Sequence, residues 1–224
     1  MKKLAGLIRR IPPYARMPIL VTLVTQLMCY YSPMIFGVSP THVLSSAMDE
    51  SIPVIPAFIY IYVAAFFFWI ANYCYIYCFS AAFARRLLTA DLMCKAVCAL
   101  CFVLYPCTLV QPDPESLHGI GAWLLKLIYH LDQPTNLLPS MHCYISVLIA
   151  LPLMWKKDTR TPLWYRVFSA VLALAICLST LFTKQHVAAD VYTGALMAVA
   201  AWLISRAVWG FIDRRRGAKR QTNA

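Results

Sequence analysis

Two short stretches concentrate the residues able to handle a phosphate. One is Asn136-Leu-Leu-Pro-Ser-Met-His142 and the other is Thr183-Lys-Gln-His186-Val-Ala-Ala-Asp190. In the second, His186 and Asp190 are four residues apart, a spacing that puts them on one helical face. A carboxylate there accepts from one imidazole nitrogen and fixes the tautomer, leaving the other nitrogen as an oriented nucleophile or base. Asp190 is expected at the depth of a bilayer's outer leaflet, where charged side chains are costly and generally functional. Lys184 supplies one positive charge alongside. In the first stretch, Pro139 can open a helix because its missing N–H is not needed there. The unpaired amides that follow, at the positive end of the helix dipole, favour an anion beside Ser140 and Met141. His142, in the same turn, can give that anion a proton or a hydrogen bond.

Each stretch alone has a plainer reading, as a capped helix start or as a buried His–Asp pair that only packs. Together, two histidines, one carboxylate, one cation and an amide nest compose the parts of phosphoryl transfer through a phosphohistidine. One histidine attacks phosphorus and the other protonates the departing oxygen. The nest and the lysine stabilise charge on the equatorial oxygens. This chemistry requires no metal and no other cofactor, and the carboxylates Asp49, Glu50, Asp113, Glu115 and Asp132 are scattered along the chain.

The elements that must position these residues follow from composition. Of 224 residues, 61% are hydrophobic and 13% charged, against about a quarter charged in soluble domains. Such a chain needs an apolar solvent. A spanning helix takes roughly 20 apolar residues, and six runs qualify: about Met17 to Val38, Ala57 to Phe79, Asp91 to Val110, Ser140 to Trp155, Leu163 to Phe182, and Val187 to Phe211. The runs are long and continuous rather than alternating, which disfavours strands. The predicted fold is all-α: one integral membrane domain over residues 1–224, a six-transmembrane-helix bundle with its site-bearing core at about 105–195 and basic tails at 1–16 and 212–224. The segment Gly119 to His130 reads as a short amphipathic helix between the third and fourth spans, lying on the membrane surface and shaping lipid entry, or as a connector. The apolar stretch of the opening MKKLAGLIRR is too short for a targeting peptide, so an uncleaved first span is expected.

Net charge is +11, and its placement carries the topology. Numbering loops by the six spans puts 18 of the 20 lysines and arginines on one side, leaving Lys126 and Lys184 on the other. The positive-inside rule then makes both termini cytoplasmic, in a cell (inner) membrane, with all five histidines on the extracytoplasmic half. The basic tail RRRGAKR reads as a topology anchor rather than a nucleic-acid patch. Cys94, Cys98 and Cys101 share a helical face but have no His or carboxylate partners nearby, so they read as packing. Nothing in the sequence sets the oligomeric state.

At these residues the chain resembles the type-two phosphatidic acid phosphatase superfamily, near its inositol-phosphorylceramide and sphingomyelin synthase branch. The family motif Pro-Ser-x-His is matched by Pro139, Ser140, Met141 and His142. The motif Ser-Arg-x5-His-x3-Asp is matched by Ser179, His186 and Asp190, with Thr180 in place of arginine. The motif Lys-x6-Arg-Pro falls between Pro106 and Pro112, where Gln111 replaces its arginine and keeps only hydrogen bonding to a phosphate. The resemblance implies a six-helix membrane core, His186 as nucleophile, Asp190 orienting it, and His142 as acid. It implies a membrane lipid-phosphate phosphatase or phosphotransferase, with Ser140, Met141, Lys184 and Gln111 on the phosphate. The alternative is a catalytically lapsed member that binds lipid phosphate or scaffolds a membrane partner. A transporter is disfavoured because the inner halves of the spans lack a continuing polar path.

Overall fold

The computed structural model describes residues 11–155 and 161–222. Nine α-helices are present among them: α1 (Pro13–Tyr30), α2 (Ser32–Ile35), α3 (Ala47–Ser51), α4 (Ile59–Tyr77), α5 (Ala81–Leu104), α6 (Ala122–Leu131), α7 (Met141–Trp155), α8 (Leu163–Phe182) and α9 (Ala188–Thr222). Two-residue strands β1 (His42–Val43) and β2 (Cys107–Thr108) pair in parallel and tie two loops together. Four helices are long and apolar enough to cross a membrane: Pro56–Tyr77, Ala81–Leu104, Leu163–Phe182 and Ala188–Arg216. They mark the chain as an integral membrane protein. The other two expected spans correspond to α1, an 18-residue helix with Pro18 inside it, and to α7, of 15 residues.

The surface follows the logic of an apolar solvent. On α8 the buried face carries Ser169, Ala173, Ser179 and Thr180, while Val167, Val171, Leu174 and Leu178 are exposed. A helix in water has the reverse arrangement. Small inward residues let neighbouring helices approach closely, as membrane helices do. At the centre, α7 packs against α4, α5, α8 and α9. Its Tyr144, Ile145, Leu148, Ile149 and Leu153 are buried with Phe102, Ile176 and Trp202 of its neighbours.

Helix starts differ from the sequence expectation where a cap overrides hydropathy. The third span begins ten residues earlier than Asp91, at Ala81, because Ser80 accepts the Phe83 amide at 3.3 Å. It ends at Leu104, with β2 following. Arg85 and Arg86 therefore sit in the first turns of α5 rather than in a loop, and both reach Asp213 of α9, at 3.6 and 3.2 Å. The sixth helix runs on through Thr222, so the expected tail from residue 212 is helical. Lys2, Lys3, Arg9, Arg10, Lys156, Lys157 and Arg160 lie outside the described residues.

Lys95 is a correction to the charge count. It is buried in α5, 2.7 Å from Asp91 one turn earlier, and is no part of a loop. Its ammonium also donates to the Thr22 carbonyl at 2.8 Å and to Thr25 at 3.2 Å, and Tyr73 donates to Asp91 at 2.7 Å. The spans therefore do contain a buried polar cluster, which sequence alone does not reveal because its members come from three helices. Every charge in it is paired and hydrogen-bonded, the condition for burying one.

The start of α7 and the helix α9 approach closely at Gly194. A Cβ on Gly194 would come within 2.6 Å of the Ser140 carbonyl oxygen and 3.3 Å of the Cys143 Cβ. Gly194→Ala is therefore expected to lower the thermal unfolding midpoint in detergent, since overpacking costs about 1–3 kcal/mol. Gly210→Ala, on the same helix with nothing within 4 Å, is expected to be neutral or to stabilise by up to about 1 kcal/mol. Equal midpoints for the two variants would remove the contact from the account.

Candidate active site

The turn between α8 and α9 is built by Thr180. Its carbonyl accepts the backbone amides of Gln185 at 3.0 Å and His186 at 3.1 Å, and its hydroxyl donates to the Cys177 carbonyl at 2.7 Å. Lys184 takes a left-handed backbone here, with φ +49°, which is uncommon outside glycine. The chain thereby reverses into α9 with His186 just before the helix and Asp190 in its first turn. His186 Nδ1 lies 2.8 Å from Asp190 Oδ2, both side chains being buried. That contact leaves Nε2 as the nitrogen open to chemistry.

α7 enters from the other direction. The Ser140 amide donates to the Asp190 carbonyl at 3.0 Å, and the Ser140 hydroxyl accepts the Cys143 amide at 3.3 Å. Ser140 is fully buried. The anion nest expected at Ser140 is thus not available: its amide joins two helices and its hydroxyl caps one. Met141 lines a cavity beside His142.

His142 is held by rings. Tyr62 stacks on it with centroids 4.2 Å apart, and Trp69 and Phe66 lie at 5.0 and 5.8 Å. Its Nε2 is buried without a hydrogen-bond partner. The His142 and His186 rings are 5.8 Å apart. The other three histidines, His42, His118 and His130, are exposed; His42 stacks on Tyr105.

Two cavities meet at His186. One, of about 360 Å³, includes His142, Met141, Gln185, Tyr62 and Asp132 in its wall. The other, of about 590 Å³, includes Lys184, Gln111, Asp49 and Glu50. Lys184 is therefore on the His186 side away from His142, and its ammonium donates to the Asp49 carbonyl oxygen. Burial pulls that ammonium below its ordinary range, against Asp49 and Glu50. Gln111 Nε2 is buried without a partner, a free donor in the second cavity.

Three residues of this region escaped sequence reasoning. Asp49 caps α9, its carboxylate accepting the Ala188 amide at 2.7 Å. Burial alone pushes the Asp49 carboxyl up, but hydrogen bonds from Ser46 and the Ala188 amide, with Lys184 nearby, hold it below the usual carboxylate range. The spacing Ser46-x-x-Asp49 was the available signal, since it forms a capping box. Gln185, 3% exposed, has an unpartnered Nε2 in the first cavity; adjacency to His186 was its only mark. Asp132 accepts from Tyr30 and Tyr62 at 2.6 and 3.0 Å, and no sequence pattern links residues so far apart.

Among the described residues, no group of three or more His, Cys, Asp or Glu side chains is arranged to hold a metal ion. The arrangement presents an oriented imidazole, a second imidazole with a free nitrogen, and amide and ammonium donors in two adjoining chambers. No curated protein and no solved structure matches the chain. The PAP2 superfamily matches residues 96–214, more than half of its length and a range that includes His142, His186, Asp190, Gln111 and Lys184. Members of that family are phosphatases, which points to phosphoric ester chemistry and to lipid phosphatase or phosphotransferase activity in general. The chain is a member of the PAP2 superfamily.

Proposed function

We propose that this protein transfers the phosphoryl group of a membrane lipid phosphate through a phosphohistidine on His186. The observation that carries the reading is the pairing of His186 Nδ1 with Asp190 at 2.8 Å, with a second histidine ring 5.8 Å away. Asp190 keeps the proton on Nδ1. His186 Nε2 attacks phosphorus, the bond from phosphorus to the lipid oxygen breaks, and His142 gives its proton to the departing alkoxide. Water or a lipid hydroxyl then attacks the phosphohistidine, returns a proton to His142 and frees His186. Lys184 and Gln111 in the second cavity and the Met141 turn in the first are assigned to the phosphate oxygens. The transition-state charge is carried by fewer cations than in the family motif, because Gln111 and Thr180 stand where it has arginines.

The fold reading that goes with this is a six-span bundle: α1, α4, α5, α7, α8 and α9 cross a cell (inner) membrane, and α6 lies at the interface. On α6, Ile120 just before it and Trp123, Leu127 and Leu131 form an exposed apolar stripe, while Leu125 and Tyr129 are buried, the pattern of an interfacial helix. Both termini are cytoplasmic and the site is extracytoplasmic. The loss of both motif arginines and the closure of the Ser140 amide favour the second reading, a lapsed member that binds lipid phosphate.

Division of labour between the histidines is testable by trapping labelled phosphoenzyme in acid. His186→Ala is expected to abolish both turnover and trapping. His142→Ala should slow transfer about 10²–10⁴-fold yet spare an activated aryl phosphate, whose leaving group needs no proton. Asp190→Asn should fold and turn over slowly, because the tautomer is no longer enforced. Gln111→Arg should raise turnover. Trapping that survives in His186→Ala but not in His142→Ala would reverse the roles, and a parent that neither traps label nor turns over any lipid phosphate would favour the lapsed reading.

Metal independence is tested in chelator, where activity is expected to persist. Complete loss restored by magnesium would sink the phosphohistidine mechanism. For topology, a cysteine replacing His118 should label from outside intact cells and one replacing Thr222 should not; the opposite pattern would invert the scheme.

A further inference from the structure

The end of the bundle away from the histidines holds positive charge that its carboxylate does not balance. Arg85 and Arg86, in the first turns of α5, both turn to Asp213 of α9. Arg85 Nη2 lies 3.6 Å from Oδ1 and Arg86 Nη2 3.2 Å from Oδ2, so both oxygens are engaged by different cations. One carboxylate answers two guanidinium groups, and a positive charge is left over. Among the described residues no second carboxylate pairs with either. Arg206, two turns before Asp213 on the same face of α9, is near enough to Arg86 to repel it. Hydrogen bonding is incomplete as well. A guanidinium is a fork of several N–H donors. Arg86 donates to Asp213, whereas the Arg85 contact is too long for a hydrogen bond. The Nε of each is buried without a partner. The cluster is nonetheless held in place. The Arg85 guanidinium lies over the Trp209 ring, 5.0 Å from its centroid, and Trp209 Nε1 donates to the Thr89 hydroxyl at 2.9 Å. The Ser205 hydroxyl donates to the Arg86 carbonyl at 2.6 Å, which fastens α9 to the start of α5.

Position narrows the anion that would complete this cluster. Asp213 lies about 35 Å along α9 from Asp190, close to the hydrocarbon thickness of a bilayer, about 30 Å. The two arginines therefore stand where headgroups begin, at the bilayer face opposite the histidine pair. From Arg85 the same stripe of α5 continues through half-buried Leu92 and exposed Ala96 to exposed Leu100. It is an apolar track running from the charges into the membrane. Inorganic phosphate would satisfy the guanidinium groups and make no use of the track. A zwitterionic lipid would bring its own cation back against the cluster. A lipid with net negative charge satisfies both features, its phosphate oxygens on the planar forks and an acyl chain along the track.

We infer that Arg85, Arg86 and Trp209 form a binding site for the phosphate of an anionic lipid, at the bilayer face opposite the histidine pair. Asp213 keeps the two guanidinium groups side by side, and the lipid supplies the second negative charge. The lipid is held there and not turned over, so the site stands apart from the phosphate-transfer reading.

The test places a quencher at the site. Purified protein in uncharged detergent is titrated with phosphatidylglycerol or phosphatidylcholine carrying brominated acyl chains, which quench a tryptophan only on contact. The Trp209 signal is the difference between the parent and Trp209→Phe. Phosphatidylglycerol is expected to quench it at a concentration at least about tenfold lower than phosphatidylcholine, and the preference should shrink as salt is raised. Arg85→Gln combined with Arg86→Gln should erase the preference. Arg214→Gln combined with Arg215→Gln, which removes exposed charges further along α9, should leave it. Equal quenching of the parent by the two lipids overturns the inference, whether or not the Arg85 and Arg86 variant folds. A preference lost in the Arg214 and Arg215 variant but kept in the other overturns it as well, by assigning the attraction to the basic tail. Inorganic phosphate at the same concentration should not displace phosphatidylglycerol; full displacement would make the ligand a soluble anion and end the lipid assignment.

Discussion

One backbone hydrogen bond, from the Ser140 amide to the Asp190 carbonyl, orders the site end of this protein. It joins the first turn of α7 to the first turn of α9, and each turn carries one of the two buried histidines or its partner. His142 lies two residues beyond the donor, and the acceptor belongs to the residue whose side chain holds His186. The bond needs the helix backbones nearly in contact, and Gly194 one turn later is what permits this. Main chain therefore sets how the two helix starts meet, and side chains then fix the rings: Asp190 for His186 and Tyr62 for His142.

Around that contact the bundle divides its polar groups by function. Inside the spans, Asp91, Lys95, Tyr73 and Thr25 satisfy one another and fasten α1, α4 and α5 together. At the site end several buried polar atoms have no protein partner: His142 Nε2, Gln111 Nε2, Gln185 Nε2 and Asn136 Oδ1. An orphaned buried donor or acceptor costs about 1–3 kcal/mol, and most such groups in folded proteins are paired. Tyr144, Ser169 and Trp202 also carry unpartnered atoms within the bundle, but the four at the site end line two cavities that share His186.

Much of this was legible in the sequence, and for physical reasons. Helix identity followed from continuous apolar runs, and α8 matched its expected limits to the residue because both ends are marked by a sharp change in polarity. The one-turn spacing of His186 and Asp190 is a local property of a helix, so it could be read directly. The site's cross-chain parts could not. Asp132, Tyr30 and Tyr62 meet across separations of 70 and 102 residues, and Lys95 meets Thr22 and Thr25 across 73 and 70. The Ser140 amide was misjudged for a related reason: a helix start leaves amides unpaired only until another helix arrives to use them.

The length of α9 has a geometric consequence. At 35 residues and about 1.5 Å per residue, it is about 52 Å long, against a hydrocarbon core of about 30 Å. Its first turn holds Asp190 and its far end carries Arg214, Arg215 and Arg216. One continuous helix thus carries both the carboxylate that holds His186 and, about 36 Å further along its axis, the first arginine of that basic cluster.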